Sequence, residues 1–224
     1  MFNFQFWSIV LGYHFGDLQR AKRNIKDIKS AEDGSTVLAP LRQLYTGLVY
    51  MSLFRESKIS KKYRRRAMKA HKQLKTWADN GAINCKYMYE MLEAEDLSCR
   101  RCSSSANVED VISAYDKAIN SVTELQLCHH MALANELAGS YLLQRQGTAA
   151  TSSFRRGGRQ GGGSQEVHHQ EQQHEQQEQE LHDRGISYMI NALNLYRKWG
   201  AMAKVRDIES RFGSAIKQIG SSSA

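Results

Sequence analysis

Proline is almost missing from this 224-residue chain: Pro40 is the only one. Proline lacks an amide donor and clashes inside a helix, so its scarcity leaves room for long uninterrupted helices. Cysteine is sparse as well. Cys85, Cys99, Cys102 and Cys128 are too few and too scattered for a secreted disulfide framework, which points to free thiols in a reducing compartment. No apolar run approaches the ~20 residues of a bilayer span, so no membrane insertion is expected. Met1 to Gly16 is aromatic-rich but has neither a basic leader nor a small-residue cleavage site, and it reads as a helix entering a core or as the place where a longer frame was cut. Catalytic signatures are missing too: there is no Gly-x-x-x-x-Gly-Lys-Ser/Thr loop, no Gly-x-Gly-x-x-Gly, no His-Glu-x-x-His and no Gly-x-Ser-x-Gly. These absences argue against nucleotide binding, against a cofactor and against an enzyme.

What is present is helical periodicity. Leu18, Ala21, Ile25 and Ile28 fall on one side of a predicted helix over 18–28, with Gly16-Asp17 before it as turn and N-cap. Upstream, Phe4, Trp7, Leu11, Gly12 and Phe15 are spaced by threes and fours and predict an apolar face buried against that helix. An apolar helix follows over about 37–53, with Pro40 in its first turn. Tyr63, Ala67, Ala70, Leu74 and Trp77 continue a stripe begun at Ile59. Tyr87, Met91 and Ala94 mark the next helix, and Val111, Ala114, Tyr115, Ala118, Ile119 and Val122 another. Two more helical stretches cover about 131–143 and 186–212.

Between them, 147–182 is rich in Gly, Gln, Glu and His and poor in apolar residues. Its composition predicts a disordered insert, with a second disordered segment in the Ser-rich tail 214–224. Residues 1–146 then form helical hairpins and 183–213 the closing helices of the same domain. Rejoined across the insert, 132–141 and 188–205 make a hairpin in which Tyr141 and Trp199 should be buried.

The charge is uneven. The net +8 comes largely from 55–75, where ten Lys or Arg face a single Glu56. Lys61, Lys62, Arg64, Arg65 and Arg66 form a candidate patch for nucleic acid or an acidic partner, or a nuclear localisation signal. The plainer alternative is a solvated helix face, which the apolar stripe through the run favours. Cys99 and Cys102 have zinc or redox spacing, but no second pair completes a tetrahedron, so free loop thiols are the simpler reading. His168, His169, His174 and His182 lie in the insert and read as solvated rather than metal-binding.

The repeat is loose. Leu137, Ala138 and Tyr141 match the Leu-Gly/Ala-x-x-Tyr core of a tetratricopeptide unit, and Leu11, Gly12 and Phe15 match it similarly. The expected fold is all-α, with tetratricopeptide-like antiparallel hairpins stacked as a short solenoid. A more specific resemblance rests on Trp77 and Asn84 through Tyr89, Ala94 and Glu95, on Ala114 to Ile119 including Tyr115, and on Asn135 and Glu136 with Tyr196, Trp199, Gly200 and Lys204. These stretches resemble the helical-repeat segment of very large signalling proteins. In that family a serine/threonine-kinase-like domain is followed by an AAA/STAND-type ATPase, helical repeats, a GAF domain and a histidine kinase. Cys85, Tyr87 and Met88 depart from the family's Phe, His and Lys. The resemblance implies a non-catalytic, cytoplasmic scaffold, complete or a fragment, whose partners are kinase, ATPase or GAF-type domains.

Overall fold

The computed structural model describes residues 2–28, 38–57, 60–100, 107–153 and 165–222. Among them are nine helices and no strand: α1 (Phe2–His14), α2 (Leu18–Ile28), α3 (Ala39–Ser57), α4 (Lys61–Asp79), α5 (Ile83–Arg100), α6 (Val108–Glu124), α7 (Cys128–Ser153), α8 (Gln165–Trp199) and α9 (Met202–Ser222). The chain divides into two compact units, Met1–Leu127 and Cys128–Ala224. That boundary differs from the expected one, because α7 belongs with α8 and α9 rather than with the hairpins before it.

In the first unit each even helix packs on the odd helix before it, and α1, α3 and α5 also pack on one another in series. The caps explain where the chain turns. Asp17 accepts from the backbone amide of Arg20 at 3.1 Å, satisfying a donor that the start of α2 leaves orphaned. Gly16 sits at φ +80, where a side chain would be strained. At the start of α6, Asn107 plays the same capping part toward the amide of Glu109 at 3.3 Å.

Leu18, Ala21, Ile25 and Ile28 are the buried residues of α2, as their spacing requires. Tyr87, Met91 and Ala94 are buried in α5, which packs on α3, α4 and α6 and supplies the centre of this unit's core. Gly47 of α3 lets the two helices close in, since a Cβ there would collide with the side chain of Leu92. In α4, Ala67, Ala70 and Leu74 are buried while Tyr63 and Trp77 are half-buried; Ile59 lies outside the described residues.

α1 corrects the expectation for its apolar stripe. Phe6, Ile9 and Val10 enter the core, whereas Phe4, Trp7, Leu11 and Phe15 face outward. The helix is apolar on both sides, so a spacing of threes and fours selects a face without saying which face is covered.

The second unit is a hairpin of α7 and α8 closed by α9, around Ala132, Met189, Ala192, Leu193, Tyr196, Val205 and Ile208. Gly139 and Gly185 mark the crossing of α7 and α8. A Cβ on Gly139 would lie 2.9 Å from the Gly185 carbonyl oxygen, and one on Gly185 would lie 2.9 Å from the Leu142 Cβ.

The expected insert 147–182 and tail 214–224 are helical over much of their length. α7 continues to Ser153, α8 begins at Gln165, and α9 runs to Ser222. Gln and Glu are good helix formers, and a helix already nucleated by 183–199 extends through them without a new nucleus. Glu178, inside the stretch expected to be disordered, joins α8 to Arg145 of α7 at 3.3 Å.

Gly139→Val should lower the stability of the Cys128–Ala224 unit by about 2–3 kcal/mol through overpacking. Gly213→Ala, where a Cβ meets nothing within 4 Å, should be neutral or stabilising by about 0.5–1 kcal/mol. Urea midpoints measure both, and equal midpoints for the two variants would rule out a close crossing at Gly139.

Candidate interaction site

Four of the residues singled out in the sequence, Glu95, Tyr115, Glu136 and Lys204, converge on two buried carboxylates. In the first unit Glu95 of α5 is 1% exposed. One of its oxygens accepts from Tyr115 of α6 at 2.6 Å, and the other from Arg55 of α3 at 2.8 Å. Arg55 also donates to Ser98 Oγ at 3.0 Å, and Ser98 donates back to the Glu95 carbonyl at 2.8 Å. The carboxylate beside it holds the Arg55 guanidinium pKa well above its ordinary value. Burial, then the nearby Glu95 charge, pushes the Tyr115 hydroxyl up, so it keeps the proton it donates.

Glu136 of α7 repeats the arrangement in the second unit. Tyr196 of α8 donates to one carboxylate oxygen at 2.9 Å. Lys204 of α9 reaches the other at 2.8 Å, and Arg211 reaches the same oxygen at 2.9 Å. Asp207 braces both cations, at 3.0 Å from Lys204 and 2.8 Å from Arg211. The Lys204 and Glu136 side chains are 7% and 9% exposed, so the pair lies out of water and needs these additional bonds. Burial works against the Arg211 charge, but Glu136 and Asp207 outweigh it and leave its pKa raised.

Other expected signature residues stand apart from these networks. Asn135 is buried and donates to the Met131 carbonyl at 2.9 Å. Trp77 is half-buried and its carbonyl accepts from the Ala82 amide at 2.9 Å, while Asn84 is exposed in the first turn of α5. Tyr141 is half-buried. Trp199 is 54% exposed, which corrects its expected burial across the hairpin. It is the last residue of α8, where its ring lies 5.3 Å from that of His129. Gly200 follows at φ +83 and ends the helix, with the Ala201 amide bonded to the Tyr196 carbonyl at 2.9 Å.

The basic run is not one surface. Arg64 turns inward and forks onto Asp96, with bonds of 2.6 and 2.9 Å. Arg66 donates to the Tyr50 hydroxyl at 3.0 Å and lies over its ring. Lys61, Lys62 and Arg65 are exposed, and Lys69, Lys72 and Lys75 continue their face toward the end of α4. Beside them Lys22 of α2 donates to the Tyr63 hydroxyl at 2.9 Å. That bond, with the charges of Lys22, Lys26 and Lys62, lowers the Tyr63 pKa.

Cys85 and Cys99 are buried free thiols, and burial pushes both pKa values up, away from reactive thiolates. Cys102 lies outside the described residues, as do the side chains of His168 and His169. His174 is exposed and His182 half-buried. Among the described residues no three His, Cys, Asp or Glu side chains gather as metal ligands, and no helix is long and apolar enough to cross a membrane. Comparisons with family models, with curated proteins and with solved structures found no match.

The partners missed in the sequence are Arg55, Asp96, Asp207 and Arg211. Asp207 and Arg211 are four apart on one helix, a spacing that signals an ion pair. Arg55 and Glu95 are 40 residues apart and carry no such signal.

Glu136→Leu takes the acceptor from three donors and should cost about 3–5 kcal/mol. Lys204→Met leaves Glu136 held by Tyr196 and Arg211 and should cost less. The double variant should lose less than the sum of the two. Urea denaturation gives all three values, and a costlier Lys204→Met would show that Glu136 is not the hub.

Proposed function

We propose that the chain is a non-catalytic helical-repeat module of tetratricopeptide-like kind, a scaffold that binds protein domains in signal transduction. The observation that carries this reading is the recurrence of one arrangement. Glu95 with Tyr115 and Glu136 with Tyr196 each tie a helix to its hairpin partner, with a cation from a further helix. All four residues belong to the stretches that resemble the repeat segment of kinase, ATPase and GAF-containing signalling proteins. The serial packing of α1, α3 and α5 supports it too, because stacked hairpins align their first helices in this way. The inert, buried Cys85 and Cys99 thiols suit a scaffold better than a thiol enzyme.

Isothermal titration against separately purified ATPase, GAF and histidine-kinase modules of such proteins tests the proposal. Micromolar binding of at least one is expected, and no heat with any of them overturns it.

A second reading, an anionic partner such as RNA, is favoured by one observation: Lys61, Lys62, Arg65, Lys69, Lys72 and Lys75 remain exposed on α4. Charge reversal belongs at Lys61, Lys62 and Arg65, since Arg64 and Arg66 hold the fold through Asp96 and Tyr50. If single-stranded RNA binds there, this triple reversal should weaken binding and lower the slope of log affinity against log salt by about 2, at roughly 0.7 per phosphate. Fluorescence anisotropy over a salt series measures it, and an unchanged slope excludes that face.

A further inference from the structure

The outward face of α1 is unlike any other exposed surface described for this chain. Phe4, Trp7 and Leu11 of α1 and Phe15, in the turn that follows it, are 72%, 55%, 56% and 49% exposed. They border an open groove of about 330 Å³, with Gly12 and Arg20 among its other lining residues. Scattered apolar residues at a surface need no explanation, but a contiguous aromatic stripe does.

Three observations say what covers it. The first is area. At about 200 Å² for a fully open large side chain, these four present about 450 Å² in one copy and about 900 Å² across a symmetric pair. A specific interface needs about 1,000 Å², so the pair falls just short on the stripe alone and reaches it with the exposed polar rim of Asp17 and Arg20. The second is shape. Trp7, Leu11 and Phe15 form an i, i+4, i+8 ridge, and the groove lies beside it on the same face. A ridge with its own groove alongside is self-complementary, because two such helices interdigitate ridge into groove when crossed at about 50°. The third is charge. α1 contains no Asp, Glu, Lys or Arg, so two copies can cross without opposing like charges although each chain carries +8. An anionic lipid surface or an acidic helix would draw on a basic flank, whereas the flank here is mixed, with Asp17 and Arg20 both at the groove.

We infer that the Phe4, Trp7, Leu11 and Phe15 face of α1 is a homodimer interface, packed against the same face of a second copy. The inference goes beyond the scaffold proposal and does not rest on it: a dimer requires no partner module, and a partner module requires no dimer.

Sedimentation velocity of the full chain over about 1–100 µM tests it, the range expected for an interface at the lower size limit. The mass should rise from 25.5 kDa toward twice that value as concentration increases. Leu11→Glu, and separately Phe15→Glu, should weaken the dimer at least tenfold. Helicity and melting midpoint of the diluted Leu11→Glu monomer should not change, since that side chain is already 56% exposed. A Trp7 emission shift to the blue with concentration, absent from Trp7→Phe, should accompany dimer formation. A chain that stays at monomer mass throughout the range overturns the inference. So does a dimer that both charged variants leave intact. Binding to phosphatidylserine vesicles by a chain that remains monomeric would assign the face to a membrane surface instead.

Discussion

Two carboxylates removed from water, Glu95 and Glu136, are met by donors from the helices around them, and those bonds organise both units. Taking an ion out of water costs several kcal/mol unless partners in good geometry replace the lost hydration. Glu95 draws its donors from α3 and α6, and Glu136 from α8 and α9. Three helices are therefore held at one point in one register. Sliding any of them by a helical turn, about 5.4 Å, would strip a buried charge of its partner. Apolar packing is far more forgiving, since Leu, Met and Ala tolerate exchange at similar volume. The residues around Glu95 and Glu136 fill space; the carboxylates specify which helix stands where.

The same logic divides the basic helix. An excess of cations on α4 reads as one patch in a linear sequence, but in the fold the cations have two different environments. Arg64 and Arg66 reach acidic and phenolic partners on α5 and α3. Their planar forks suit that role, because a guanidinium bonds a carboxylate at two points and stacks on an aromatic face. The lysines and Arg65 stay in water. The net charge of the chain therefore overstates what a partner could meet on this helix.

Much of the helical architecture was legible from spacing and caps. Leu18, Ala21, Ile25 and Ile28 alternate cleanly with charged residues, so only one face of α2 could be buried. Asp17 and Gly16 announced the turn before it by chemistry that few other residues supply. α1 was not legible in the same way. With Phe, Trp, Ile, Val and Leu on both sides, its periodicity is consistent with two opposite orientations, and only the position of α2 and α3 decides between them. The stretch 165–182 misled for another reason: a composition poor in apolar residues predicts disorder, yet Gln and Glu propagate a helix once a neighbouring segment has nucleated it. Within the candidate site, Glu95, Tyr115, Glu136 and Lys204 stood out through their resemblance to a repeat family. Their partner Arg55 did not, because pairing across 40 residues is a property of the fold.

Trp199 carries an optical consequence of where α8 ends. The chain has three tryptophans, Trp7, Trp77 and Trp199, and only the last belongs to the Cys128–Ala224 unit. Its indole is already more than half in water, so unfolding changes the colour of its emission little. Its contact with the His129 imidazole, 5.3 Å away, exists only while the ends of α7 and α8 are together. The brightness of this one residue, more than its wavelength, therefore registers whether the second hairpin is closed.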